Sequence, residues 1–143
     1  MSFVKYGMAA SSPFHMLLFY ILSVYRNPFI VHIVIETPAA LQFFIFPNAQ
    51  IGTPNPQAQA LIRQYALLLA SSVLVALAFT GRESDQLSGQ VAGALALYHV
   101  GPVVRAGSKL SQGVSSMMPW VSILAAHAFC LAGLLQRFWE HYG

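Results

Sequence analysis

The sequence predicts an all-α integral membrane protein that folds as a four-helix bundle. The first observation is composition: 57% of the 143 residues are hydrophobic and 8% are charged, whereas soluble domains carry about 25% charged residues. A chain this poor in charge cannot cover a water-facing surface, which excludes a soluble enzyme and a disordered chain. The second observation is a series of long apolar runs joined by short connections. The length suits one domain, which we take as residues 1–143.

The few charged residues are distributed as lipid anchoring requires. The net charge is +3, and the seven basic residues are scattered beside apolar runs instead of forming a patch. This pattern is typical of membrane anchoring and gives no reason to expect a nucleic-acid partner. A single cysteine, Cys130, forbids an internal disulfide. The expected surroundings are therefore membrane lipid.

Three apolar runs are long enough to cross a membrane, which takes about 20 residues. We place these spans at about 61–80, 87–104 and 118–137. A charged turn separates the first two, and a Gly- and Ser-rich segment separates the second and third. Short connections of this kind favour antiparallel neighbours.

The N-terminal apolar stretch is too long for one span and short for two. Asn27 is a favoured N-cap and Pro28 a favoured first helical residue. We therefore place the first span at about 28–46, preceded by an interfacial helix at 13–25. The alternative, a span over 13–35, stays open at this point. Both interpretations give four spans with the termini on one side. The basic residues leave the orientation undecided, and we expect the endoplasmic reticulum in preference to the plasma membrane.

Four ionisable side chains fall within these spans, where such groups are costly and often functional. Depth counting places Glu36 and His127 near the middle of the membrane. His32 lies one helical turn before Glu36 on the same face. The same counting places His99 about one turn from the middle, toward the side that carries Arg63.

The position of Glu36 suggests proton-transfer chemistry. A lone carboxyl group in lipid must become neutral or find a partner, and His127 or His32 can be that partner. In a dry pocket, Glu36 would act as the acid and a histidine as the base, in isomerisation, cyclisation or epoxide opening. The alternative is structural, because buried polar pairs also hold membrane helices together by about 1 kcal/mol each. The sequence leaves both open.

Other predictions concern ligands and partners. His99, Arg63 and Tyr65 are candidate ligand-binding residues at one end of the bundle, where Arg63 either anchors to lipid phosphate or borders a pocket. We expect no cofactor and no metal, because the histidines do not match in depth for a haem and no second carboxylate is near for a metal site. Gly89 and Gly93 form a small-residue face on which a partner helix could pack.

Two segments carry a resemblance to known proteins. They are His32-x-x-x-Glu36-Thr37-Pro38-Ala39-Ala40-Leu41 and the run 62–68, Ile-Arg-Gln-Tyr-Ala-Leu-Leu. On these residues the chain resembles small fungal integral membrane proteins with no established activity. Some of those are encoded among secondary-metabolite genes, which implies a lipophilic intermediate as a possible substrate. In general style the chain is also similar to membrane sterol isomerases and small terpene cyclases, although it is short and has one intramembrane acid. A non-catalytic scaffold, assembly factor or complex subunit is the alternative function.

Overall fold

A computed structural model describes residues 27–51, 53, 55–114 and 116–142. This part of the chain contains four long helices, a short 3₁₀ helix at Pro47–Gln50, and no strand. All four long helices have the length and the mean hydropathy, 1.2 to 1.8, that a membrane span requires. The predicted all-α, four-helix, multi-pass membrane architecture is confirmed. The helices are α1 (Pro28–Ile45), α2 (Pro56–Phe79), α3 (Gln86–Ser111) and α4 (Met118–Tyr142).

The bundle consists of two antiparallel hairpins, α1–α2 and α3–α4, which meet where α1 packs on α4. In the first hairpin the Asn27 side-chain amide donates to the backbone oxygen of Thr80 at 2.7 Å, which ties the start of α1 to the end of α2. In the second, Ser84 Oγ lies 2.8 Å from His141 Nε2, which ties the start of α3 to the end of α4. These contacts place residues 27, 80–85 and 137–142 at one end of the bundle, which we call the polar end.

Side-chain caps fix where the helices begin. Asn27 accepts from the backbone N–H of Phe29 at the start of α1, and Asn55 caps α2 in the same way. At α3, Asp85 and Ser88 form a reciprocal capping box. A hydrogen bond from Arg82 lowers the pKa of Asp85 to about 2, so this capping carboxylate is ionised throughout the physiological range.

The helices extend further than the apolar runs that predicted them. The second predicted span, 61–80, corresponds to α2, which already starts at Pro56. The third, 87–104, corresponds to α3, which continues to Ser111. The last helix reaches Tyr142 instead of residue 137. Polar residues at the ends of these helices continue the backbone ladder but lower the local hydropathy, so a search for apolar runs stops short of them. The predicted interfacial helix at 13–25 lies outside the described residues.

The glycine pair of α3 packs within the chain. An added Cβ on Gly89 would meet the His141 ring at 3.0 Å, and one on Gly93 would meet the Phe138 ring at 2.7 Å. Both rings belong to α4, so this helix already occupies the face on which we expected a partner helix from another protein. A partner helix at Gly89 and Gly93 stays a prediction, and the structure adds that a helix of this chain packs against the same two glycines.

Small side chains bring the helices close enough to build a polar interior. The most deeply buried positions include several alanines from α2 and α3, which allow neighbouring backbones to approach. Many large apolar side chains instead point outward, as expected for lipid contact, whereas Phe29, Leu69 and Leu134 are buried. Examples of the outward-facing residues are Leu61, Leu68, Leu74, Leu97, Val104 and Met118.

Candidate functional site: a polar cluster inside the bundle

Seven polar side chains from all four helices meet near the middle of the bundle, and we call them the polar cluster. Two come from α1, one from α2, two from α3 and two from α4. Each makes at least one hydrogen-bond contact with another member. The cluster joins elements that are far apart in sequence, so it fixes the arrangement of the two hairpins. Its members are His32, Glu36, Ser72, Tyr98, His99, His127 and Cys130.

His99 is the centre of the cluster. Its Nδ1 lies 2.8 Å from Nδ1 of His127, and its Nε2 lies 2.9 Å from Nδ1 of His32. The same Nε2 is 3.2 Å from Sγ of Cys130. His99 therefore contacts both α1 and α4 through opposite edges of one imidazole ring.

This position corrects the predicted depth of His99, which lies at the middle of its helix instead of about one turn toward the Arg63 side. The prediction assumed a helix that ends near residue 104. Because α3 continues to Ser111, His99 is the 14th of its 26 residues and sits at the middle of the helix. The side chain is fully buried and contacts neither Arg63 nor the surface.

A chain of hydrogen bonds sets the direction of the histidine protons. Ser72 Oγ donates to the backbone oxygen of Leu69 at 2.8 Å, so its oxygen accepts from Nε2 of His32 at 3.1 Å. Neutral His32 then has a lone pair at Nδ1, which accepts from Nε2–H of His99. We therefore assign neutral His99 the tautomer with its lone pair at Nδ1, facing His127.

Glu36 lies beside the histidines, and its two carboxylate oxygens differ in their hydrogen bonds. Tyr98 donates its hydroxyl proton to Oε2 at 3.0 Å, and Tyr65 lies 3.1 Å from the Tyr98 hydroxyl. The other oxygen, Oε1, is 3.5 Å from Nδ1 of His127 and 3.7 Å from Nδ1 of His99. This oxygen is buried and makes no hydrogen bond to any described residue. Such an orphaned acceptor is uncommon in a packed interior.

The cluster is packed, with little exposure to the surroundings. Glu36, His32 and His99 are at most 1% exposed. The His127 side chain, at 13%, is the most accessible of the three histidines. The side chains thus contact one another directly instead of lining an open chamber.

Two sets of donor atoms in the cluster have the composition of a metal site. One is His32, His99 and Cys130, and the other is Glu36, His99 and His127; within each set the ligand atoms lie within 4.8 Å of one another. His99 belongs to both, through Nε2 in the first and Nδ1 in the second. Imidazole, thiolate and carboxylate are the usual ligands of first-row transition metals.

A groove between α1 and α4 reaches the cluster from the polar end. It encloses about 490 Å³, and its walls combine apolar side chains with polar ones. Cys130 lies at its base, half-way along α4, and carries the thiol that contacts His99. The other lining residues are Pro28, Val31, Phe129, Ala132, Gly133, Gln136, Arg137 and Glu140.

Arg137 supplies the polar mouth of this groove. Its terminal nitrogens contact the backbone oxygen of Arg82 at 3.4 Å and the Glu140 carboxylate at 3.7 Å. Its Nε is buried and has no acceptor in the part of the chain that the structure describes. The mouth therefore combines an ion pair with an unused N–H donor.

The structure separates the predicted site residues into two groups. Glu36, His127, His32 and His99 come together in the polar cluster, and Tyr65 joins them through the Tyr98 hydroxyl. Arg63, a residue of α2, lies away from the cluster and next to the end of α1, where its Nε donates to the backbone oxygen of Phe44 at 3.4 Å. None of the predicted residues lines the groove.

Three members of the cluster were not predicted as site residues. Tyr98 precedes His99 directly, and Cys130 follows His127 by three residues, which places both on faces next to a predicted residue. The short sequence distance of Tyr98 and Cys130 from a predicted histidine was the signal that could have identified them. Ser72 gave no comparable signal, because a serine in a membrane helix commonly bonds to its own backbone, as Ser72 also does here.

No family model, curated protein or solved structure matches the chain.

Proposed function

We propose that this membrane protein binds a lipophilic small molecule in the groove between α1 and α4 and processes it by proton transfer at the polar cluster. The observation that carries the proposal is the position of Cys130. Its side chain forms the base of the groove and also contacts His99. The groove and the cluster are therefore parts of one site.

The size and lining of the groove fit a small lipophilic ligand. Ligand pockets commonly have volumes of about 300–1,000 Å³ and mostly apolar walls with a few polar groups. The groove encloses about 490 Å³ and has Val31, Phe129 and Ala132 on its walls. It lies along helices that face lipid, so a lipophilic molecule can enter from the membrane.

The unused donor at Arg137 indicates the polar part of the ligand. A buried N–H group without an acceptor is unfavourable by about 1–3 kcal/mol, which a ligand oxygen would relieve. A carbonyl or carboxyl oxygen at the polar end of a lipophilic molecule would reach the mouth while the apolar part extends toward Cys130. Because the Glu140 carboxylate already pairs with a terminal nitrogen of Arg137, one further acceptor group, placed at Nε, is the best match.

The chemistry that fits the cluster is exchange of a proton through His99. Glu36 does not line the groove, so its predicted role as the group that protonates the substrate is reassigned to Cys130, which lines the groove and contacts His99. Glu36, His127 and His32 then set the charge and tautomer of His99. An isomerisation or cyclisation of this kind adds a proton to one carbon and removes a proton from another, so it needs no oxidant or reductant.

Photo-crosslinking tests the groove with a defined probe, a diazirine-bearing fatty acid in lipid nanodiscs. Its carboxylate matches Arg137 and its chain matches the apolar walls. We expect crosslinks on the α1 and α4 residues that line the groove. Gly133→Leu is expected to lower this labelling at least fivefold, because a Cβ at Gly133 already approaches the Pro28 side chain at 3.3 Å.

Gly101→Leu is the matched control, because a Cβ on Gly101 meets nothing within 4 Å. It should leave groove labelling unchanged. Crosslinks spread evenly over lipid-facing residues such as Leu97 and Leu68, with no effect of Gly133→Leu, would contradict groove binding.

The alternative function is a non-catalytic scaffold, assembly factor or complex subunit. The observation that favours it is the direct packing of the cluster, whose members bond to one another as residues that fix helix positions do. Even labelling in the crosslinking experiment would support this alternative.

The cellular setting rests on the sequence resemblance. It suggests secondary-metabolite biosynthesis as the source of the lipophilic molecule, and we propose the endoplasmic reticulum as the membrane. The structure supports the more general statement that the chain is an integral multi-pass membrane protein.

A further inference from the structure

We propose that Glu36, His99 and His127 together hold one divalent first-row transition-metal ion. The ligand atoms are Oε1 of Glu36 and the Nδ1 atoms of the two histidines, which come from α1, α3 and α4. The site revises the expectation, drawn from the sequence, that no metal is bound. It concerns the same cluster as the proposed function, but ion binding requires no ligand in the groove.

One carboxylate oxygen of Glu36 lacks a partner among the described residues. Oε1 is buried, lacks a hydrogen bond among the described residues, and points between two imidazole nitrogens. A buried carboxylate oxygen without a donor is costly. A cation among these three atoms would supply the missing partner.

The distances between the three ligand atoms also suit a metal ion. Two ligand atoms bonded at about 2.0–2.1 Å to a tetrahedral ion lie about 3.4 Å apart. The two distances from Glu36 Oε1, 3.5 Å to His127 Nδ1 and 3.7 Å to His99 Nδ1, are close to this value. The remaining distance, 2.8 Å between the two Nδ1 atoms, is a hydrogen bond that the ion would replace. The replacement moves the His127 proton from Nδ1 to Nε2 and rotates the His127 ring slightly.

The tautomer of His99 also suits a metal ligand. A histidine that binds a metal typically donates its other ring N–H to a neighbouring acceptor, which fixes the ring. The bonds from His99 through His32 and Ser72 to the Leu69 carbonyl impose this state, with the lone pair at Nδ1. His32 and Ser72 are therefore positioning residues for the site. Tyr98 holds Glu36 similarly through Oε2.

The donor set indicates the class of ion. Two imidazoles and one carboxylate suit Zn²⁺, Fe²⁺, Co²⁺, Ni²⁺ or Cu²⁺, whereas Mg²⁺ and Ca²⁺ prefer oxygen ligands. Three protein ligands leave a coordination position open. The partial exposure of His127 offers a route by which the ion could enter.

The competing set of His32, His99 and Cys130 uses the opposite nitrogen of His99 and would include a thiolate. Neutral His99 cannot serve both sets, because one of its nitrogens carries a proton. The assigned tautomer gives the lone pair to Nδ1 and so favours the set with Glu36. The two sets differ in spectroscopy, because only one of them has a sulfur ligand.

The experiment uses the full chain, purified in detergent without a histidine tag, stripped with a chelator and titrated with Zn²⁺ or Co²⁺. We expect one ion per chain by elemental analysis. The Co²⁺ form should show visible d–d absorption without a thiolate charge-transfer band, and Cys130→Ser should leave that spectrum unchanged.

Ligand variants locate the ion. Glu36→Gln and His127→Gln should each weaken Zn²⁺ binding at least tenfold, and Ser72→Ala should weaken it to a smaller extent. His141→Gln is the matched control, because this histidine lies at the polar end and contacts Ser84 instead of the cluster. His141→Gln should bind Zn²⁺ with the affinity of the wild type. Circular dichroism of each variant checks its folding.

Three results would overturn the assignment. They are less than 0.2 ion per wild-type chain after saturation, equal binding by wild type and Glu36→Gln, or a thiolate band that Cys130→Ser removes. The wild-type stoichiometry and spectrum decide the question even if a ligand variant fails to fold. Gly133→Leu separates the two proposals. If this variant loses fatty-acid labelling but still binds the metal ion, ion binding does not depend on ligand binding in the groove.

Discussion

Glu36→Ala is expected to lower the free energy of unfolding by about 2–5 kcal/mol, the range for removing a large buried side chain. The substitution leaves a space at the centre of the bundle. It also removes the acceptor for the Tyr98 hydroxyl, a group that would then be buried without its partner. Because Glu36 is 1% exposed, water has little access to replace the lost contact.

Glu36→Gln is the matched comparison and is expected to be mild, at about 1 kcal/mol or less. Glutamine retains the volume and an oxygen that can accept from Tyr98. Thermal unfolding of both variants, in one detergent and with a chelator present, measures the difference without a contribution from metal. Equal losses of stability for Ala and Gln would contradict the hydrogen-bonding role of Glu36. If Gln instead leaves the fold intact but abolishes a product of the protein in cells, the purely structural alternative fails.

Gly93→Ala is expected to destabilise the α3–α4 hairpin by about 1–3 kcal/mol, the usual cost of overpacking. An added Cβ would lie 2.7 Å from Cδ2 and 3.1 Å from Cε2 of Phe138. That ring cannot move away freely, because it stacks on Tyr142 with centroids 4.8 Å apart and contacts Trp139 on α4. The helices must therefore separate or the ring must change rotamer.

Gly101→Ala on the same helix provides the control. A Cβ there meets nothing within 4 Å, and alanine favours helix over glycine by about 0.5–1 kcal/mol. We expect unchanged or slightly raised thermal stability for Gly101→Ala and a clear loss for Gly93→Ala. A similar response of the two variants would contradict the close packing of α3 on α4.

The sequence was sufficient for the fold class because lipid imposes a strong and local requirement. A span must be helical and apolar for about 20 residues, and each of the three clear runs met that condition by itself. The ends of the helices were less predictable. The backbone of α3 continues through Arg105 and Lys109 to Ser111, although these polar residues lower the hydropathy on which the boundary was based.

Depth counting brought Glu36 and His127 to the same level because both lie near the middle of their helices. It failed for His99 because an error in the end of α3 moved the estimated middle of that helix. Depth also says nothing about rotation around a helix axis. Whether Tyr98 points toward Glu36, or Cys130 toward His99, depends on how all four helices pack, which a single sequence does not specify.

The groove and the glycine pair show the same limitation. The sequence identified Gly89 and Gly93 as a close-packing face but could not choose between a helix of this chain and one of another. As a basic residue beside an apolar run, Arg137 was expected to anchor a span in lipid. The structure instead places it at the mouth of the groove, with a buried Nε that has no acceptor among the described residues. Both outcomes depend on which helices are neighbours.

A double-mutant cycle on thermal unfolding in lipid nanodiscs tests whether Glu36 and His127 contact each other inside the packed polar cluster. The cycle compares Glu36→Leu, His127→Leu and the double variant, all free of metal. With Oε1 and Nδ1 3.5 Å apart, we expect a coupling energy of about 0.5–3 kcal/mol. The distant pair of Glu36 and His141 should give none. Additive losses for Glu36 and His127, equal to those of the distant pair, would contradict the account.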